Sequence, residues 1–177
     1  YTYGHFIDNG GGDNGGGVQD PRNMRGDRGN ADSDIRHRMV ASWGYELPFG
    51  QGRKYLSGAN GFVKHAAGGW QVNGIMSLMT GQVFSASSAQ NTLGAGAGGQ
   101  RPDRIRDGNL PSDQRTLQRW FDFTAFTTPA AFQYGNAARN SLIGPGTKTV
   151  DLSVFKRFQL GKSETRRLEY RAELFNL

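Results

Sequence analysis

The 177-residue sequence contains no cysteine. That excludes a disulfide framework, a thiolate metal site and a cysteine nucleophile. It leaves the compartment open. No run of about 18 apolar residues exists, so no transmembrane helix is expected. No signal-peptide pattern opens the chain, which begins at Tyr1 rather than Met. The three histidines, His5, His37 and His65, share no local ligand spacing, so no zinc or iron site is expected. No G-x-S-x-G elbow is present, and no nucleophile, base and stabiliser fall together. We therefore expect no catalytic residue, no metal and no cofactor.

A basic face is missing too. The net charge is +6, but residues 1–35 hold six Asp against three Arg. The remaining positive charge is scattered, whereas tracking phosphates needs a clustered basic surface. Nucleic acid is not an expected partner.

Glycine is abundant. Its 27 residues are roughly twice the average usage of ~7%. Each interior glycine weakens a helix by about 1 kcal/mol relative to alanine. An all-β chain with long loops fits better. The pattern that organises it is residues 147–177, TKTVDLSVFKRFQLGKSETRRLEYRAELFNL. Val150, Leu152 and Val154 alternate with Asp151 and Ser153. Leu168, Tyr170, Ala172 and Leu174 alternate with Glu169, Arg171 and Glu173. Successive strand side chains point to opposite faces, so each strand has one apolar and one polar face. A half-buried sheet gives this pattern, and so does a membrane barrel with lipid outside and a wet lumen.

Earlier strands are expected at residues 1–7, 36–47 and 69–84. In the second, Met39, Ala41, Trp43, Tyr45 and Leu47 share one face, and Arg38, Val40, Ser42, Gly44 and Glu46 the other. Pro48 ends it, having no N–H for a ladder. In the third, Trp70, Val72, Gly74, Met76 and Leu78 share a face. Residues 62–67 are read as one helical turn.

The connections are long. Residues 8–34 contain DNGGGDNGGG and are read as a flexible surface loop. Calcium binding there is the weaker alternative, because the acidic spacing departs from an EF-hand loop. Residues 85–148 are read as a long loop with a short helix over 113–121. Ser112 is its expected N-cap, and Leu117, Trp120 and Phe121 fall on one face. Gly94 to Gly99 match G-x-G-x-x-G, but a polar tract precedes them and Arg101-Pro102 follows, so dinucleotide binding is rejected. The GPGTKT run at 144–149 breaks P-loop spacing and is rejected as well.

Loop lengths alternate. Long connections follow the first and third strands, and shorter ones follow the second and fourth, the last being a turn at 159–165. Outer-membrane barrels show this asymmetry. Trp43, Tyr45, Trp70 and Phe158 fall near the short-turn side, and Phe6 and Phe84 near the long-loop side. Two aromatic girdles would look like this.

Five blocks in order carry a resemblance. They are DIRHRMVASWGYELPFGQGRKYL, GGWQVNGIMSLMTGQVFS, LPSDQRTLQRWFDFTAF, YGNAARNSLIGPGTKTVDLSVFKRF and RLEYRAELFNL. Together they resemble the C-terminal barrel region of TonB-dependent receptors, closest to the Oar-like group. The resemblance implies an all-β fold. Antiparallel up-and-down strands would form part of a transmembrane outer-membrane barrel, with long extracellular loops and one short loop helix. It implies that residues 1–177 are a partial barrel, truncated at both ends and without a plug domain. It implies a transporter, not an enzyme, in the outer membrane of a Gram-negative bacterium.

Its partners would be membrane lipid, the TonB complex through segments absent here, and an extracellular substrate of unknown identity. Substrate contact would fall on residues 8–35 and 85–147, with Trp120, Arg104 and Arg106 as candidates. Arg38, Glu46, Asp151, Glu169, Arg171 and Glu173 would face the lumen. The alternative is a soluble β-sandwich binding or adhesin module.

Overall fold

The computed structural model describes residues 1–10, 18–50, 52–58, 60–94, 100–159 and 167–177. The elements in chain order are β1 (Thr2–Tyr3), β2 (Ile7–Asp8), β3 (Gly29–Asn30), β4 (His37–Glu46), α1 (Gly61–Ala67) and β5 (Trp70–Met79). They continue with β6 (Val83–Phe84), β7 (Asp103–Arg104), β8 (Phe126–Thr127), β9 (Leu142–Ile143), β10 (Thr147–Gln159) and β11 (Arg167–Leu174).

Five strands form the main sheet in the order β1-β4-β5-β10-β11. This order follows the chain, as an up-and-down meander requires. The sheet is open, with β1 and β11 at its edges. The β10–β11 register is antiparallel and fixes the two faces. Leu152 stands opposite Leu174, Val154 opposite Ala172, Lys156 opposite Tyr170 and Phe158 opposite Leu168. Between them, Ser153 faces Glu173, Phe155 faces Arg171 and Arg157 faces Glu169. A slip of one residue would exchange the faces, so the sequence alternation pins this register. Trp43 of β4 lies against Gly74 of β5, where a Cβ would run into its indole ring.

The residues divide into two compact units. Tyr1–Arg38 with Met79–Thr147 form a loop unit, and Met39–Leu78 with Lys148–Leu177 form a strand unit. The loop unit contains three two-stranded ladders, β2–β3, β6–β9 and β7–β8. Ala31, Val83, Leu110, Ala125, Ala137 and Leu142 are buried in it.

Several expectations change. The first strand is only Thr2–Tyr3 on the main sheet; Ile7 and Asp8 pair instead with Asn30 and Gly29. The third strand stops at Met79, not at 84. Gly81 approaches the Gly144 carbonyl so closely that no Cβ fits, and Val83–Phe84 then pair with Ile143 and Leu142. The helix expected over 113–121 is a single 3-10 turn, Ser112–Gln114. Pro111 holds its N-cap position and Ser112 does not cap it. Leu117 is 93% exposed, so the apparent stripe does not pack as one face. Instead a turn closes between Thr116 and Arg119 through reciprocal backbone hydrogen bonds.

The expected one-turn helix at 62–67 is α1. The segment read as a flexible loop is folded over residues 18–34, where Asp27 and Asp34 are fully buried. Residues 11–17, part of the DNGGGDNGGG segment on which the calcium alternative rests, lie outside the described residues. So do residues 95–99 of the rejected glycine motif and residues 160–165 of the final turn.

Candidate binding cleft and charged strand face

Buried charge organises the loop unit. Arg101 Nη1 donates to Asp27 Oδ1 at 2.6 Å, Nε to the Ala137 carbonyl at 2.9 Å and Nη2 to the Gly26 carbonyl at 3.1 Å. Arg139 pairs with Asp8 and Asp32, and its Nε donates to the Asp27 carbonyl. Asn140 donates through Nδ2 to the Asn30 carbonyl, and Asn30 Nδ2 donates back to the Asn140 carbonyl, both at 2.8 Å. Buried ions are tolerable only when paired and hydrogen-bonded in this way.

On this frame the unit carries a cleft of about 410 Å³. Phe84, Phe121, Phe123 and Phe126 line it, together with Ser85, Ser87, Ser88, Thr127 and Thr128. Among the described residues, no charged side chain lines it. Phe121 meets Phe84 and Phe126 edge-on, with centroids 5.8 and 6.2 Å apart. Edge-to-face contact suits the ring quadrupole. The floor is therefore a packed cluster of three rings, while Phe123 stays exposed.

Asp122 positions these phenylalanines. Its Oδ1 accepts from the Thr124 amide at 3.1 Å and the Thr124 hydroxyl at 2.7 Å, capping the 3-10 turn Phe123–Ala125. Its Oδ2 accepts from Arg106 Nη2 at 2.8 Å. The Thr124 hydroxyl, and then Arg106, hold the Asp122 carboxyl below the usual carboxylate range. Asp107 is held low as well, chiefly by the Asn109 amide. Asn109 in turn accepts from the Ile143 amide at 3.0 Å and donates to the Ser141 carbonyl at 2.8 Å.

None of the three candidate contact residues lines this cleft. The Trp120 indole N–H donates to the Ile143 carbonyl at 2.7 Å, and Arg115 lies over its ring at 5.6 Å. Arg106 is engaged by Asp122 and Thr124. Arg104 stands opposite Phe126 in the β7–β8 ladder, exposed at its side chain. Their neighbours Phe121, Phe123 and Phe126 form the cleft instead. Phe84, expected in a girdle, is part of this cluster rather than of the main sheet.

The charged residues of the strands fall as follows. Glu169 accepts from Arg157 Nε at 3.0 Å and pairs with Arg171 at 3.2 Å, and Arg171 reaches Glu173 at 3.5 Å. Arg171 also lies 4.5 Å from the centre of the Phe155 ring. Asp151 accepts from the Asn176 amide at 2.9 Å. Glu46 pairs with Arg53. Arg38 stands opposite Thr2 and is exposed. The ladder thus joins Glu169, Arg171 and Glu173 and adds Arg157. Asp151, Glu46 and Arg38 stay apart from it.

Along β10 from Val150 to Phe158 the opposite row is apolar with one exception. Lys156 sits in the row of Val154 and Phe158, a residue that sequence reading passed over. The alternation itself marks it, as the one charge among Val150, Leu152, Val154 and Phe158.

Alternating faces, an open meander and exposed aromatic residues on the apolar row are features of a barrel wall. The chain matches the model of the outer membrane beta barrel domain over residues 1–177. It belongs to that family. The barrel domain resides in the outer membrane of Gram-negative bacteria, and its strands supply part of a transmembrane wall. This membership displaces the soluble sandwich alternative. No curated protein and no solved structure matches the chain.

Proposed function

We propose that this barrel domain belongs to a TonB-dependent receptor of the Oar-like type and acts in energised uptake, not as an enzyme. The observation that carries the reading is the folded loop unit with its own uncharged aromatic cleft. Porin-like sieving needs only a wet lumen, whereas a receptor needs a built contact surface for its substrate. The five sequence blocks that resemble TonB-dependent receptors support the same assignment.

In this reading Arg38, Glu46, Asp151, Glu169, Arg171 and Glu173 line the lumen, where water satisfies their charge. Membrane lipid covers the apolar row. The cleft takes an uncharged substrate with apolar and hydroxyl-bonding parts, since it offers aromatic faces and hydroxyls but no countercharge. Coupling to TonB runs through segments other than these residues.

The test starts from ligands. Neutral compounds are screened by thermal shift on the full-length protein purified from outer membranes, and binders are followed by uptake into cells. Phe123→Asp should weaken binding, because it puts a charge into an uncharged cleft. A protonophore should stop uptake while leaving surface binding intact. Uptake that continues unchanged without a proton-motive force would contradict energised transport.

A further inference from the structure

Helix α1 is fastened at both ends within the strand unit. At its start, Asn60 Oδ1 accepts from the Val63 amide at 2.9 Å. This satisfies one of the donors that a helix leaves unpaired. At its end, Lys156 Nζ donates to the His65 carbonyl at 2.6 Å and also to the Ala66 carbonyl. The Trp70 indole N–H donates to the Ala66 carbonyl at 3.0 Å. A cation at the last carbonyls suits the negative end of the helix.

Lys156 comes from the apolar row of β10, yet it is only 2% exposed. Its ammonium lies 4.8 Å from the Trp70 ring centroid and 4.9 Å from that of Phe158. Trp70 also meets Tyr170 edge-on at 6.2 Å. The ammonium is thus enclosed by two carbonyls and two aromatic faces. Because Lys156 projects on the apolar side, the helix end it holds lies on that side too. The exposed Phe62 is on this helix.

We propose that α1 is an interfacial membrane anchor, clasped to the lipid side of the wall by Lys156, with Phe62 entering the headgroup–acyl boundary. The inference rests on the reading that lipid covers the apolar row. Tryptophan and tyrosine concentrate at the interface because their rings are amphipathic. Trp70 and Tyr170 mark that level here. A short helix bearing an exposed phenylalanine beside them buries its apolar surface in the same layer. Lys156 offsets the cost of burying its own charge by donating to the His65 and Ala66 carbonyls at the helix end.

Site-directed spin labelling tests this in the full-length protein, carrying no other cysteine, in phosphatidylcholine vesicles. Phe62→Cys, Ala172→Cys and Leu117→Cys are labelled in turn, and collision with oxygen and with a water-soluble nickel complex is measured. Ala172 reports the wall face and Leu117 the exposed loop unit. Label at position 62 should show a severalfold higher oxygen-to-nickel ratio than label at 117. A lipid-like ratio at 172 with a water-like ratio at 62 would overturn the anchor and leave the wall reading standing. A water-like ratio at 172 would overturn both. In a second variant, Lys156→Met should sharpen the spectrum at position 62 while heat-modifiable migration of the barrel persists. An unchanged spectrum would show that Lys156 is not the clasp.

Discussion

The two units differ in what they cover and what they leave exposed. In the strand unit, large apolar side chains remain exposed, Tyr45 at 56% and Leu168 at 56% among them. In the loop unit the best-buried side chains include charged ones, with Asp34 at 0% and Arg139 at 5%. An ordinary soluble domain covers most of its large apolar side chains and seldom buries a charge. The strand unit belongs to a wall whose outer solvent is hydrocarbon, so exposure of its apolar row costs nothing. The loop unit buries Leu142, Val83 and Leu110 beside its charged groups and holds its irregular backbone with paired ions and amide bridges. These supply the partners that buried backbone groups require.

The largest expected effect breaks the loop side of this contrast. Arg101→Ala strands the buried Asp27 carboxylate, and removing one partner of a buried pair costs about 3–5 kcal/mol. Limited proteolysis of the purified protein should then open the loop unit while the barrel keeps its heat-modifiable migration. Resistance equal to wild type would show that the pair does not hold the unit.

A second change breaks the wall side. Val154→Arg places a cation in the apolar row, at a cost of about 2–4 kcal/mol near the bilayer midplane. Ser153→Arg, one residue along and on the other face, should cost much less. Urea unfolding of the two variants in vesicles compares them directly, and equal losses would contradict the assignment of faces. Asn140→Ala comes next. It leaves the Asn30 carbonyl and Ser85 hydroxyl short of partners, at about 1–3 kcal/mol, readable as increased amide exchange in the loop unit.

Acid sharpens the picture with a smaller effect. The Asp122 carboxyl is held low by the Thr124 hydroxyl and Arg106. A carboxyl lowered in the folded state stabilises it fully above its unfolded value. That contribution is lost as pH falls through the lowered folded value. Protection of the Thr124 amide should therefore persist at mildly acidic pH and fade only below the usual carboxylate range. Arg106→Ala should move the fading to higher pH. Smallest of all, Leu117→Arg should change stability by no more than about 0.5 kcal/mol, because an exposed turn makes no packing contribution.

How much of this was legible follows from the same contrast. β4, β5, β10 and β11 could be read because their side chains alternate, and the period-2 pattern is a local signal. So was the end of β4 before Pro48. The loop unit could not be read that way. Its ladders are two residues long, too short to carry a period. Its ties join residues far apart, such as Arg101 and Asp27, separated by 74 positions. Leu117, Trp120 and Phe121 imitate a helical stripe, yet the Trp120 N–H is spent on Ile143 and Phe121 on an aromatic cluster. The cleft followed from that cluster, and no spacing in the sequence announced it.

The most direct test of the central claim is labelling on intact cells. Leu117→Cys in the full-length protein is treated with a membrane-impermeant maleimide before and after the outer membrane is opened. With residues 85–147 read as an extracellular loop of the proposed receptor, full labelling on intact cells is expected. Labelling that appears only after the membrane is opened would contradict it.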